Sequence, residues 1–363
     1  MNILIDINHP AHVHYYRNLC AELEHKGHHV IWTAREQESV IRLLTLYDIP
    51  FIRLPGKPDG RLKKILRQIQ LDWKVYRLCK REHIDFGIGT SVTVAHVSKL
   101  SSMRSIVFDD DDDEVQPLMT RYVHPAATCI LSPDVLTGQR KRRDTVYYPG
   151  YHELAYLHPK RFTPDLSVLT ETGLKEGEPF FIMRFNAFKA HHDVGISGIT
   201  LEQKRELIKL LEPYGRILIT SENEIESEFD QYKLKIRPDK AHSLMAFASI
   251  FLGDSQTMTS EAAMLGVPSV RCNSFAGRIS YLEEQEKKYG LTFAYQPDNF
   301  YSLKKKVLEW LNHKNLRAEW QEKRQRMLED KIDVTAFWTW FIDQYPQSVD
   351  VCRKNQVHWQ QFK

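Results

Sequence analysis

Short apolar runs alternate with helical patterns along nearly the whole chain, and that alternation restricts the fold more than any other feature. In the first half the strand-like runs are Ile3–Ile7, His29–Thr33, Phe51–Leu54, Phe86–Gly89, Ser105–Phe108, Cys129–Leu131 and Val146–Tyr148. Helical patterns fall between them, notably His14–Lys26 and Leu62–Arg81. The second half repeats the theme with Phe180–Phe185, Arg216–Thr220, Leu234–Ile236, Ile250–Leu252, Ser269–Cys272 and Thr292–Tyr295. Strands separated by helices need crossover connections, which produce parallel sheets covered by helices. The expected class is therefore α/β. A chain of 363 residues holds two such domains on length alone. The best hinge is Tyr148-Pro149-Gly150-Tyr151-His152-Glu153, which divides an N-terminal domain, 1–155, from a C-terminal one, 156–330.

Composition narrows the function classes. The apolar share of 42% suffices for large cores, and a net charge of +3 is too small to point to nucleic acid. Five cysteines, Cys20, Cys79, Cys129, Cys272 and Cys352, are scattered with no C-x-x-C pair. They read as buried thiols of a reducing cytosol rather than a disulfide or zinc framework. Met1-Asn-Ile-Leu-Ile-Asp6 opens directly as a strand, with no signal-peptide pattern, and no apolar stretch is long enough to span a bilayer. The expected location is the cytoplasm.

The run Phe251-Leu-Gly-Asp254-Ser255-Gln256-Thr257-Met-Thr-Ser260-Glu261-Ala-Ala-Met-Leu-Gly266-Val-Pro268 carries the clearest chemistry. It reads as strand, polar turn, helix, glycine stop and second strand. The first N–H groups of a helix have no intrahelical acceptor, and the dipole makes that end positive, so the turn suits a phosphate. Ser255 and Thr257 add hydroxyls there. Glu261 lies one to two turns inside, where a carboxylate suits a ribose diol. The bland alternative is an ordinary βαβ crossover punctuated by glycine and proline.

That ordered run resembles the nucleotide-sugar signature of GT-B proteins, the two-Rossmann-domain glycosyltransferases and sugar-nucleotide epimerases. It is similar to the transferase that makes lipid II and to bacterial UDP-GlcNAc 2-epimerases. The resemblance implies two doubly wound domains facing across a cleft, with the last helix, here Asp333–Ile342, crossing back so that 331–363 completes the N-terminal domain. The chain further resembles an archaeal and bacterial branch of that superfamily described only as a domain of unknown function. The matching pieces are Asp6…Asn8-His9-Pro10…His12-Val-His14, Tyr151–Pro159, Arg184-Phe185, His192-Asp193-Val-Gly195, Gly253–Pro268 and Tyr281–Leu291. The acidic run Asp109–Glu114 exceeds what that branch usually shows.

Other candidates sit at strand ends, where ligands of doubly wound sheets collect. Asn8, His9 and His12 follow the first strand. The resemblance places His12 at the start of the first helix, aimed at the cleft, where a neutral imidazole can take a proton from a hydroxyl or water. Capping the helix is the alternative, and His14 reads as structural. Thr90 and Ser91 suit an anion or sugar hydroxyl, or an ordinary N-cap. A run of like charge is usually solvated; if one carboxylate acts as base, Asp109 or Asp110 lies nearest the strand. In the second half Arg184, Lys189 and His192 belong to a loop that the resemblance sets against the donor diphosphate. Ser221, His242 and Arg278 would line the nucleotide or sugar. The resemblance implies metal-independent chemistry with no cofactor, the substrate being a UDP-linked sugar and the partner a sugar or lipid-linked acceptor. Its leading reading is a glycosyltransferase of surface polysaccharide or glycolipid synthesis. The rivals are a UDP-sugar 2-epimerase or hydrolase, and a non-catalytic binder. Finally, the basic amphipathic stretch Arg61–Arg81 suits a peripheral contact with anionic lipid or a core-packed helix with a solvated basic face, and Arg140-Lys-Arg-Arg143 is equally ambiguous.

Overall fold

The computed structural model describes residues 1–56, 58, 60–185, 198–221 and 225–363. The chain divides into two compact units, Met1–Arg161 with Lys331–Lys363, and Phe162–Asp330. The change-over comes after the short helix Leu154–Leu157, whose residues are all buried in the first unit. There Asn18 and Thr335 both donate to the Ala155 carbonyl, at 2.9 and 2.7 Å, and Arg161 binds Glu22 and Asp333. These bonds hold the segment past Glu153 to the first unit.

Seven parallel strands make the first sheet: β1 (Asn2–Ile7), β2 (His29–Arg35), β3 (Phe51–Leu54), β4 (Phe86–Ile88), β5 (Arg104–Phe108), β6 (Cys129–Pro133) and β7 (Val146–Tyr148). Their order is β3-β2-β1-β4-β5-β6-β7. In the second unit β8 (Phe180–Phe185), β9 (Arg216–Ser221), β10 (Ile250–Gly253), β11 (Ser269–Cys272) and β12 (Thr292–Tyr295) pair in parallel as β12-β11-β10-β8-β9. The strand expected at Leu234–Ile236 is not formed. Leu234 and Ile236 are half-buried between exposed lysines, but the segment makes a single bridge, Lys233 to Ile219, before Pro238 starts a 3-10 turn.

The helix Val334–Asp343 belongs to the first unit, and its aromatic stripe packs there. Trp338, fully buried, lies with its ring 4.3 Å from Phe108 and 5.3 Å from His152. Among the described residues no helix is long and apolar enough to cross a membrane. All five cysteines are unpaired, four of them buried, and burial pushes the Cys79 and Cys272 thiols up to about 12.

In each sheet the strand order reverses direction beside the first strand, between β1 and β4 and between β8 and β10. Strand ends diverge at such points and leave room for a ligand. Both points also require a glycine. Gly89 has φ +148°, and a Cβ on it would meet the Asp6 carbonyl oxygen at 2.9 Å; on Gly253 it would meet that of Arg184 at 2.2 Å. The second clash is with backbone of a paired strand and cannot relax locally. Gly253→Ala should therefore cost about 1–3 kcal/mol of stability, read as a lowered urea midpoint; an unchanged midpoint would show that the two strand ends are not in close contact.

Candidate functional site

In the second unit, β10 ends at Gly253 opposite Arg184 of β8, and the Asp254 N–H donates to the Arg184 carbonyl at 3.2 Å. Ser255 caps the helix Gln256–Met264, its hydroxyl accepting from Met258 N–H. Its oxygen is thereby engaged in the cap. The N–H groups of Gln256 and Thr257 have no intrahelical acceptor, by the geometry of any helix start, and Thr257 is half-buried beside them. Asn273, past β11, donates to the Asp254 carbonyl at 2.8 Å and fixes the turn. The Arg184 guanidinium bonds Thr220 Oγ1 at 3.1 Å, and Ser221 Oγ donates to the Phe185 carbonyl. The ends of β8 and β10 are thus neighbours at the switch point, with Arg184 on the first and a helix start following the second, residue types suited to an oxyanion.

Glu261 is buried inside that helix, with Oε1 3.0 Å from Nε2 of His242, itself buried in the helix Ala241–Phe247. Sequence separation hid this pair; both residues stood as independent ligand contacts. Together they form one polar unit, in which the imidazole orients the carboxylate. Arg278 is exposed in the loop past β11, over the Phe275 ring. Lys189 and His192, with His191, Asp193, Gly195, Glu222 and Asn223, lie outside the described residues.

In the first unit the ends of β1, β4 and β5 converge. Asn8 donates to the Thr90 carbonyl at 2.9 Å. The Thr90 hydroxyl donates to the Phe108 carbonyl at 2.6 Å, and Ser91 caps the helix Val92–Leu100 while bonding the Asp6 carboxylate. Asp6 also accepts from Thr33 at 2.9 Å. The hydroxyls of Thr90 and Ser91 are therefore engaged in tying β1, β2, β4 and β5 together, the ordinary capping role rather than anion binding. His9 caps the first helix, Pro10–His25, accepting from Ala11 N–H at 3.2 Å.

His12, one turn in, is buried, and its Nδ1 has no hydrogen-bond partner. Burial pushes its pKa down to about 3, helped by the positive field of His9, His152 and Arg35; Asp110 acts in the opposite sense. His12 is therefore a neutral imidazole among charged groups. His152 Nδ1 lies 3.1 Å from Asp110 Oδ2. His152, Glu153 and Arg35 are buried too; the sequence reading passed over the first two because 148–153 looked like a hinge, although the Tyr151–Pro159 match was the available signal, and Arg35, at the end of β2, belonged to no motif.

The acidic run is not a solvated face. Among Asp109–Glu114 only Glu114 is exposed. Asp109 Oδ2 is 2.6 Å from His124 Nε2 and 3.3 Å from Arg140 Nη1, which also reaches Asp113 at 2.8 Å. Burial would raise the Asp109 pKa, but the His124 hydrogen bond and the Arg140 charge outweigh it and hold the carboxyl below its usual range. Arg142 donates to the carbonyls of His124, Ala127 and Thr128. The basic cluster thus serves the acidic run and its neighbouring loop, and Asp109 is a structural anion rather than a base. Oxygens of Asp109, Asp110 and Asp111 lie within 4.8 Å of one another, the one grouping of metal-ligand type among the described residues. Arg140 and His124 already occupy Asp109, and burial beside Asp110 and Asp109 raises the Asp111 pKa well above normal.

Two measurements follow. Arg140→Met strands two buried carboxylates and should cost about 3–5 kcal/mol in urea unfolding; a loss near zero would mean that they are hydrated. For His12, the unfolded chain binds a proton below about 6.5 that the folded chain refuses until about 3. Across that window stability should fall with falling pH at about 1.4 kcal/mol per unit. His12→Asn should remove this slope, and identical pH profiles for the two proteins would show that His12 is accessible to protons.

Solved structures share this architecture. The UDP-GlcNAc 2-epimerase of Neisseria meningitidis bound to UDP-GlcNAc matches with a TM-score of 0.55 at 13% identity, over 91% of this chain and 99% of that one. Glycosyltransferase SsfS6 of Streptomyces sp. SF2575, complexed with thymidine diphosphate, matches with a TM-score of 0.61 at 12% identity, over 95% and 99%. At such identities the likeness shows the fold alone, the GT-B pairing of two parallel-sheet α/β domains. In sequence, the uncharacterized protein MJ0665 of Methanocaldococcus jannaschii is 24% identical over 312 residues, covering 79% of this chain and 86% of its own length. The model of the family described as protein of unknown function DUF354 matches residues 1–287, and the chain belongs to that family.

Proposed function

We propose that the protein is a glycosyltransferase that uses a nucleotide sugar, UDP-linked, to build a surface polysaccharide or glycolipid, with neither cofactor nor catalytic metal. The observation that carries this reading is the turn at the end of β10. A helix start after β10, Arg184 at the paired end of β8 and the buried Glu261–His242 pair belong to the elements that meet at the switch point of the second sheet. The diphosphate would lie against the N–H groups of Gln256 and Thr257 and against Arg184, with the ribose diol on Glu261. The fold's occurrence with UDP-GlcNAc and thymidine diphosphate in the two solved structures supports a nucleotide ligand.

In the proposed reaction an acceptor hydroxyl oxygen bonds to the anomeric carbon while the bond from that carbon to the diphosphate breaks. The hydroxyl proton passes to His12 and the nucleoside diphosphate leaves. Charge growing on the leaving oxygen is stabilised by the helix-start N–H groups and Arg184. A pKa near 3 makes His12 a weak base, so Asp110, the one neighbour that raises it, is assigned the tuning role in place of Asp109.

A second reading, UDP-sugar 2-epimerase or hydrolase, is favoured by the grouping of Asp110 and His152 near His12, since proton abstraction and elimination need several acids and bases. Incubation with UDP-sugars alone separates the two: an epimer or free UDP formed without acceptor would replace the transferase reading. Glu261→Ala should raise the donor Kd about tenfold or more. His12→Ala should leave Kd unchanged and lower kcat about a hundredfold. Unchanged donor affinity in Glu261→Ala by calorimetry would remove the site assignment, and binding without turnover of any UDP-sugar, even with cell-derived acceptors, would leave a non-catalytic binder.

A further inference from the structure

The helix Arg61–Arg81 carries apolar residues on two opposite faces. One face, with Leu71, Val75, Leu78 and Cys79, is buried in a core cluster with Leu4, Leu54, Val94 and Met103. The other holds Leu62, Ile65, Leu66, Ile69 and Trp73, which are 78%, 59%, 67%, 61% and 60% exposed. At 3.6 residues per turn these five positions share an arc of about 100°, the width of a face normally covered by something apolar. The exposed Lys63, Lys74, Arg77 and Arg81 follow on the adjoining arc. The helix has a single acid, Asp72, held by Gln68 at 2.6 Å and His96 at 3.0 Å. Trp73 stacks on the half-buried Tyr76, with ring centroids 5.7 Å apart.

From this geometry we infer that the outer face of the helix docks on an anionic lipid surface. An apolar stripe enters the region between headgroups and acyl chains while cations on its flank meet anionic headgroups. Charge complementarity selects this occupant. A second copy of the chain would set one basic arc against another at close range, whereas a zwitterionic surface would leave the cations without counter-charge. An exposed indole within the stripe fits the interfacial preference of tryptophan. A core-packed helix with a merely solvated basic face, the alternative reading of this stretch, leaves the five exposed apolar side chains unexplained. Docking of this kind requires no sugar nucleotide and stands whether or not the proposed transfer reaction is correct.

Flotation of the full-length protein with vesicles tests it. Phosphatidylcholine vesicles should recover little protein, whereas vesicles of phosphatidylcholine mixed with phosphatidylglycerol should recover most of it, and added salt should reverse the binding. Leu66→Glu/Ile69→Glu and, separately, Lys74→Glu/Arg77→Glu should each weaken binding about tenfold. All four side chains are exposed, so near-ultraviolet dichroism and thermal midpoint should match the parent and certify folded variants. Absence of binding to the anionic vesicles would overturn the proposal, as would equal binding by parent and both variants. A parent that sediments as a dimer and an apolar-face variant that sediments as a monomer would also overturn it, by making the stripe a contact between copies. Donor binding, measured in the same preparations, is expected to be unaltered; its failure would bear on the sugar-nucleotide site alone.

Discussion

In a sheet whose strands all run the same way, every strand finishes on one edge, and each connection must climb back over a face before the next can begin. This single constraint places nearly everything of chemical interest in the molecule. Asn8, Thr90 and Asp109 arrive together because β1, β4 and β5 are neighbours, and Arg184, Thr220, Asp254 and Asn273 because β8, β9, β10 and β11 are. None of these residues is near the next in sequence. Where the winding changes direction, the backbone of one strand end presses on the other, and only glycine satisfies that approach at positions 89 and 253.

Burial of charge is the second organising fact. A carboxylate removed from water is stable only when a donor or a cation replaces the lost hydration. Asp109 and Asp113 have Arg140 and His124, Asp6 has Thr33 and Ser91, and Glu261 has His242. The second unit also holds Arg271 wholly inside, 3.5 Å from Glu283, and nearby Glu286 is pushed up to about 7 by burial and by Glu283. His12 is likewise displaced by burial, with no bond on Nδ1, and the Arg271 guanidinium and His124 Nδ1 share that lack of a hydrogen-bond partner.

Period carries fold, and so the strands and the main helices were legible from apolar spacing alone. Leu234–Ile236 misled because an alternating pattern says nothing about whether a neighbouring strand is there to pair with. The run Asp109–Glu114 misled for the opposite reason. Its partner, Arg140, comes from the connection after β6, and no local pattern announces that two clusters of opposite sign will meet. Ser255 and Glu261 were readable from their position on a strand–turn–helix unit, whereas the tie between Glu261 and His242 depends on how two helices pack. Thr90 and Ser91 show the limit of reading donors at strand ends: the same hydroxyls that could meet a ligand are the ones that close the backbone's own loose ends.

The return of residues 331–363 to the first unit has a consequence for how the chain is made. Trp338 covers Phe108, Tyr16 and Tyr148, all emerging much earlier during synthesis. Until the last helices leave the ribosome, those aromatic surfaces have no lid, while Phe162–Asp330 contains every strand it needs. The second unit is thus the first able to reach its finished form, and the N-terminal half must wait in the nascent chain with its largest apolar seam open.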